Sequence, residues 1–182
     1  NGSELIETFK PFSEKDLGNR IRVIWEGAEY RGRFRQTIWD GEAEIYNNEI
    51  LNSNPINFFN PDKSLTNTTN KVKWDALTTG NFGGFDLILK DPYKGEIEIR
   101  TPLITAKVNI KDINYEDKIF DKSNILPRFL KIFRLPSKIE NKKISLERNI
   151  KLNDNGDNPI FVRLTQEDGT LAWTSPIYVY RS

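Results

Sequence analysis

Short runs of alternating apolar and polar residues, each closed by a turn signal, recur from Arg20 to the end of this chain without an amphipathic helical period between them. Successive side chains on a strand point to opposite faces, so such runs suit half-buried strands. They fall at 20–25 (RIRVIW), 30–39 (YRGRFRQTIW), 42–46 (EAEIY), 56–60 (INFFN), 71–79 (KVKWDALTT) and 84–90 (GFDLILK). More follow at 95–101 (GEIEIRT), 104–110 (ITAKVNI), 129–135 (FLKIFRL), 143–150 (KISLERNI), 160–166 (IFVRLTQ) and 170–180. Turn pairs such as Asp40-Gly41, Gly83-Gly84, Asp91-Pro92, Lys94-Gly95, Asn155-Gly156 and Asp168-Gly169 punctuate them. The pattern predicts an all-β fold, an antiparallel β-sandwich of immunoglobulin-like or jelly-roll-like kind with about 10–12 short strands. Helix is expected only as short turns near 13–17 and 123–126.

A chain of 182 residues suits one domain. We read 1–17 as an extension or linker and 18–182 as a single sandwich. The sequence opens Asn1-Gly2-Ser3 and holds no methionine, which suggests a chain cut or processed from a longer one and leaves its compartment open. No apolar run approaches a membrane span. The net charge of +1 gives no field that would steer the chain to nucleic acid or a membrane.

With no cysteine and no histidine, the chain can build no disulfide, thiolate centre, imidazole metal site or Ser-His-Asp triad. Carboxylate, lysine or tyrosine chemistry remains, as does simple binding. Asp40, Glu42, Glu44, Glu96 and Glu98 alternate along strands or sit in turns, and nothing in the sequence singles out a catalytic pair. The stretch 153–158 (NDNGDN) lacks the distal glutamate of a calcium loop and reads as a turn before a strand. The stretch 78–87 (TTGNFGGFDL) lacks the lysine and helix of a phosphate cradle, so its glycines read as edge or bulge residues. No catalytic residue, metal ligand or cofactor is expected.

Arginines are the sharpest feature. If 20–25 and 30–39 pair around a turn at 26–29, Arg20, Arg22, Arg31, Arg33 and Arg35 share one face, with Arg22 opposite Arg33. Opposed like charges cost up to about 1 kcal/mol, so something must offset them. One reading is an anionic ligand, phosphate or acidic sugar, held by guanidinium forks. The other is a solvated face, with a turn at Asp40-Gly41 bringing Glu42 and Glu44 beside the arginines.

The last hairpin reads as a two-residue turn at Asp168-Gly169, pairing Leu164 with Trp173 and Gln166 with Leu171. One face then collects Ile160, Val162, Leu164, Leu171, Trp173, Ile177 and Val179 as core. The other carries Phe161, Arg163, Tyr178 and Tyr180, covered by a loop or by a neighbouring domain.

Six blocks carry a resemblance: GNRIRVIWEGAEYRGRFRQTIWDG, NPINFFNPDKSL, TTGNFGGFDLIL, IRTPLITAKVNI, IFRLP and DNPIFVRLTQEDGTLAWTSPIYVY. In this order and spacing they resemble the C-terminal region of a bacterial family known as domain of unknown function 3604. The upstream part of that family is similar to the metal-dependent phosphoesterases of the polymerase-and-histidinol-phosphatase class. The resemblance covers nearly all of 18–180 and implies a β-sandwich that accompanies a hydrolase-like domain of the same polypeptide. It implies accessory work in domain packing, oligomerisation or substrate presentation. The histidine motifs of that phosphoesterase class have no counterpart here, so no catalytic residue carries over.

Overall fold

The computed structural model describes residues 7–28, 36–58, 64–121, 127–139, 143–154 and 156–180. Its contacts divide the chain into two compact units, Phe12–Ile139 and a second made of Asn1–Pro11 with Glu140–Ser182. The fold is all-β and sandwich-like, with antiparallel sheets. Helix among the described residues is limited to two 3-10 turns, Glu14–Asp16 and Ile110–Asp112. The first lies where the sequence places a turn. Its Asp16 carboxylate accepts hydrogen bonds from the Ser13 N–H at 2.8 Å and the Ser13 hydroxyl at 2.9 Å.

In the larger unit the strands are β1 (Arg20–Gly27), β2 (Thr37–Ile38), β3 (Gly41–Tyr46), β4 (Ile50–Ile56), β5 (Leu65–Asn67) and β6 (Lys71–Trp74). They continue as β7 (Leu77–Thr78), β8 (Phe82–Leu89), β9 (Glu96–Arg100), β10 (Thr105–Asn109), β11 (Lys118–Asp121) and β12 (Arg128–Leu135). One five-stranded sheet runs β11-β12-β1-β8-β4 and the other β10-β9-β3-β6-β5, while β2 pairs with β7. Period-two alternation delivers Ile21, Val23, Trp25, Phe85, Leu87, Leu130 and Ile132 from the first sheet into one core. Ala43, Ile45, Val72, Trp74, Ile97, Ile99, Ala106 and Val108 enter it from the second. Each Val, Leu, Ile or Phe among them contributes about 1.5–3 kcal/mol on burial. Buried indoles find partners: Trp74 donates to the Trp39 carbonyl at 2.5 Å, and Trp39 donates to the Thr78 hydroxyl at 2.8 Å. The Thr78 hydroxyl in turn donates to the Gly27 carbonyl at 2.6 Å.

Several sequence expectations fail here, the first because strand partners are chosen over long separations. The expected hairpin of 20–25 with 30–39 does not form, because β12 and β8 occupy both edges of β1. Arg22 lies opposite Phe133 and Asp86, not Arg33. The expected strand 71–79 is two short strands, β6 and β7, with different partners. Gly83 and Gly84 sit mid-strand in β8, which is flanked on both sides, and not at an edge or bulge. They are there for space: a Cβ at Gly83 would lie 2.8 Å from Trp25 Nε1, and one at Gly84 would strike the Val23 carbonyl. Strands β4, β5 and β11 were not expected, since β4 (ILNSNPI) carries Asn, Ser and Pro and reads as loop. It is an edge strand with a bulge at Leu51, where such residues are tolerated.

The smaller unit holds β13 (Asn158–Ile160), β14 (Arg163–Thr165), β15 (Leu171–Trp173) and β16 (Ile177–Val179). Strands β13 and β16 pair, as do β14 and β15, forming one ribbon with a bulge. Between Ile160↔Ile177 and the Val162–Thr174 hydrogen bonds, one residue opposes two, Ser175 and Pro176. Proline, which has no N–H for the ladder, fits that place. The stretch 143–150 forms no strand, and its Ile144 and Leu146 are exposed. The expected turn at 153–158 precedes β13, with Asn155 outside the described residues and the buried Asn158 amide donating to the Val179 carbonyl at 3.2 Å. The possible turn at 123–126 lies outside the described residues.

The terminal turn differs from expectation by one residue. Gly169 N–H donates to the Gln166 carbonyl and Gln166 N–H to the Thr170 carbonyl, a three-residue loop with Gly169 at φ +93°. The register becomes Arg163↔Trp173, Leu164↔Ala172 and Thr165↔Leu171, in place of Leu164↔Trp173 and Gln166↔Leu171. A slip of one residue exchanges strand faces, so the expected core face is not assembled.

Candidate functional site

Asp86 organises the first two arginines. It lies on the outward face of β8, opposite Arg22 of β1, and is 3% exposed. Arg22 Nε and Nη2 donate to its two carboxylate oxygens at 2.7 and 2.9 Å, a bidentate fork, and Arg20 Nη1 lies 3.8 Å away. Arg20 and Arg22 therefore serve an internal carboxylate. Arg31, Arg33 and Arg35 lie outside the described residues. Glu42 and Glu44, expected beside the arginines, lie on β3 in the other sheet. The signal for Asp86 was in the sequence: a single acid inside the apolar run GFDLIL needs a cationic partner once that run is a central strand.

The outward face of the second sheet gathers the alternating carboxylates that the sequence left unranked. Glu44 of β3 stands directly opposite Glu98 of β9, and Glu42 opposite Arg100. The Tyr46 hydroxyl donates to Glu44 at 3.0 Å and lies 3.2 Å from Glu98. Arg100 reaches Glu44 and Glu98, both at 3.1 Å, and Glu42 at 3.4 Å. Lys71 lies 3.5 Å from Glu42 and 3.7 Å from Glu44, and Lys107 pairs with Glu96 at 2.8 Å. The opposed glutamates are tolerated because one hydroxyl and one guanidinium bridge them. That environment, the Tyr46 hydroxyl foremost, holds the Glu44 carboxyl below its ordinary value, and the same bond pushes the Tyr46 phenol up to about 12. A general acid at neutral pH needs a raised carboxyl, and Glu44 is shifted the other way. Among the described residues no three acidic groups gather as metal ligands.

The third feature is apolar. Phe161, Val162, Leu164, Trp173, Ile177, Tyr178 and Tyr180 are all exposed, with Ile177 at 69% and Trp173 at 60%. Arg163 is exposed with them. Val162, Leu164, Trp173 and Ile177, expected as core, are thus as open as the expected back face of Phe161, Tyr178 and Tyr180. Scattered apolar exposure is ordinary, but here seven large apolar side chains are exposed on one short ribbon.

Comparison with protein-family models, with curated proteins and with solved structures gives no match.

Proposed function

We propose that this chain is a non-catalytic accessory β-sandwich module of a larger metal-dependent hydrolase, of the kind the six sequence blocks resemble. Its 158–179 ribbon packs on the hydrolase-like domain of the same polypeptide. The observation that carries this reading is the exposure of apolar side chains on both faces of that ribbon. A two-stranded ribbon is marginal alone in water, so a surface that covers it stabilises it. Aromatic anchors such as Trp173, Tyr178 and Tyr180 suit such contacts, being large and carrying a polar tip. Pro159 and the Ser175–Pro176 bulge interrupt the edges, which disfavours strand addition and leaves the faces for contact. The charged face of the other sheet supports the same reading, since its acids and bases already answer one another.

The test is a phosphoesterase assay with Mn²⁺, Mg²⁺ or Zn²⁺ on this chain and on the longer polypeptide side by side. The reading expects turnover only in the longer protein, reduced there by Trp173→Glu while the isolated chain stays folded. Turnover by this histidine-free chain, surviving contaminant controls, would overturn it.

A further inference from the structure

Three loops meet at one end of the larger unit: the β3–β4 link at 47–49, the β5–β6 link at 68–70 and the β8–β9 loop at 90–95. Around them lies an open depression of about 660 Å³, lined by Tyr46, Asn47, Glu49, Asn70, Lys90 and Lys94 with their neighbours.

The floor is built rigidly. Asn48 Nδ2 donates to the Asp91 and Lys94 carbonyls, both at 2.7 Å. Its Oδ1 accepts from the Glu49 N–H at 2.8 Å and the Asp91 N–H at 3.1 Å, which completes the amide's bonding capacity. Backbone bonds add to this: Ile50 N–H to the Thr69 carbonyl at 2.7 Å, Ile45 N–H to the Asn70 carbonyl at 2.8 Å, and Lys90 N–H to the Glu49 carbonyl at 2.9 Å. The Asp91 carboxylate accepts from the N–H groups of Tyr93 and Lys94, each at 2.9 Å, and shapes the third loop. Tyr46 is anchored through its hydroxyl by Glu44 and Glu98.

The rim is different. Asn47 is held at φ +59° with its amide toward no protein partner among the described residues. Asn70 accepts from the Thr68 hydroxyl at 3.2 Å through Oδ1, leaving its NH₂ open. Lys90 is neutralised by Glu49 at 2.8 Å, and Asp91 stands in the same lining as Lys94, so acids and bases balance.

We infer that this depression is a binding site for a neutral, hydroxyl-rich ligand, a saccharide. Two carboxylates against two lysines leave no excess positive charge to hold a dianion, and an apolar ligand would strand the rim amides. Amides that both donate and accept match the paired hydroxyls of a sugar ring, and a rigid floor limits the ordering cost of binding.

The experiment is a ¹H–¹⁵N titration of the full chain with maltotriose, cellotriose and triacetylchitotriose, and separately with inorganic phosphate. The expected result is saturable shifts, from at least one trisaccharide, in the side-chain NH₂ signals of Asn47 and Asn70 and in the amides of 90–95. The Asn47→Gly/Asn70→Ala double variant, in which glycine keeps the left-handed backbone of residue 47, should weaken binding by about tenfold or more with an unchanged backbone spectrum elsewhere. No saturable binding of any of the three below about 10 mM would overturn the site. So would tighter binding of phosphate, or trisaccharide shifts that persist unchanged in the double variant. The assay of hydrolase dependence reads a different surface, so either conclusion can fail alone.

Discussion

Trp25 of β1 and Trp74 of β6 stack face to face, 5.2 Å between ring centroids and 6° between planes, each supplied by a different sheet. Phe85 tilts against both, at 5.9 and 4.9 Å. This stack joins the two sheets at the level where the indole N–H of Trp74 reaches the Trp39 carbonyl. Trp25→Ala is expected to cost about 3–5 kcal/mol, and a Trp25/Trp74 double-mutant cycle to show about 0.5–1.5 kcal/mol of coupling. Urea unfolding followed by far-UV circular dichroism measures both. Additive losses would mean that the rings fill volume without a specific contact.

The Arg22–Asp86 fork is buried, and its partners are unequal. Asp86→Asn strands the nearby guanidiniums of Arg20 and Arg22 without their carboxylate, at an expected cost of about 3–5 kcal/mol. Arg22→Lys keeps the charge but loses the fork, and should cost less. Equal losses in the two variants would show that fork geometry, and not charge balance, is what the site requires.

Tyr46 and Glu44 give the sheet face a defined pH response. Glu44 has a folded value below the ordinary 4.5, so its contribution to stability is present above that value and fades as pH falls through the lower one. Tyr46 is raised from 10.0 to about 12, so its contribution is complete below 10 and is lost as pH rises toward 12. A spectrophotometric titration of tyrosinate should therefore find a late-titrating phenol near 12 that disappears in Tyr46→Phe. The same variant should let Glu44 titrate higher. An unchanged titration curve would remove the hydroxyl bridge.

Gly169 at φ +93° closes the three-residue turn. Gly169→Ala should destabilise the ribbon by about 1 kcal/mol or more, since alanine resists the left-handed region. Amide exchange at 163–173 should accelerate while the larger unit is unaffected. Unchanged exchange there would mean that the turn does not set the ribbon's stability.

The interior strands were legible because period-two alternation is a local property, and RIRVIW, GFDLILK and GEIEIRT all became strands flanked on both sides. Partner choice is not local. Arg22 meets Asp86 across 64 residues, a pairing that no turn signal near either one announces. The edge strand β4 was hidden by its Asn, Ser and Pro residues, which reflect an edge and not a loop. In the terminal hairpin, Asp168-Gly169 was correctly a turn signal, but glycine alone does not choose between a two-residue and a three-residue loop. That one-residue difference moved Trp173 from the expected pair with Leu164 to a pair with Arg163. Of the five arginines expected on one face, only Arg20 and Arg22 lie among the described residues; the lone acid in GFDLIL signalled the need for a cation but not which one.

Of the four tryptophans, Trp25, Trp39 and Trp74 are at most 2% exposed while Trp173 is 60% exposed, so the ribbon carries its own reporter. The most direct measurement of the docking claim is hydrogen–deuterium exchange over 158–179, compared between this chain and the proposed longer polypeptide carrying a hydrolase-like domain. The account predicts fast exchange in the isolated chain and strong protection in the longer one, with Trp173→Glu abolishing the protection. Equal exchange in both proteins would contradict it, because the apolar ribbon would then have no partner in that polypeptide.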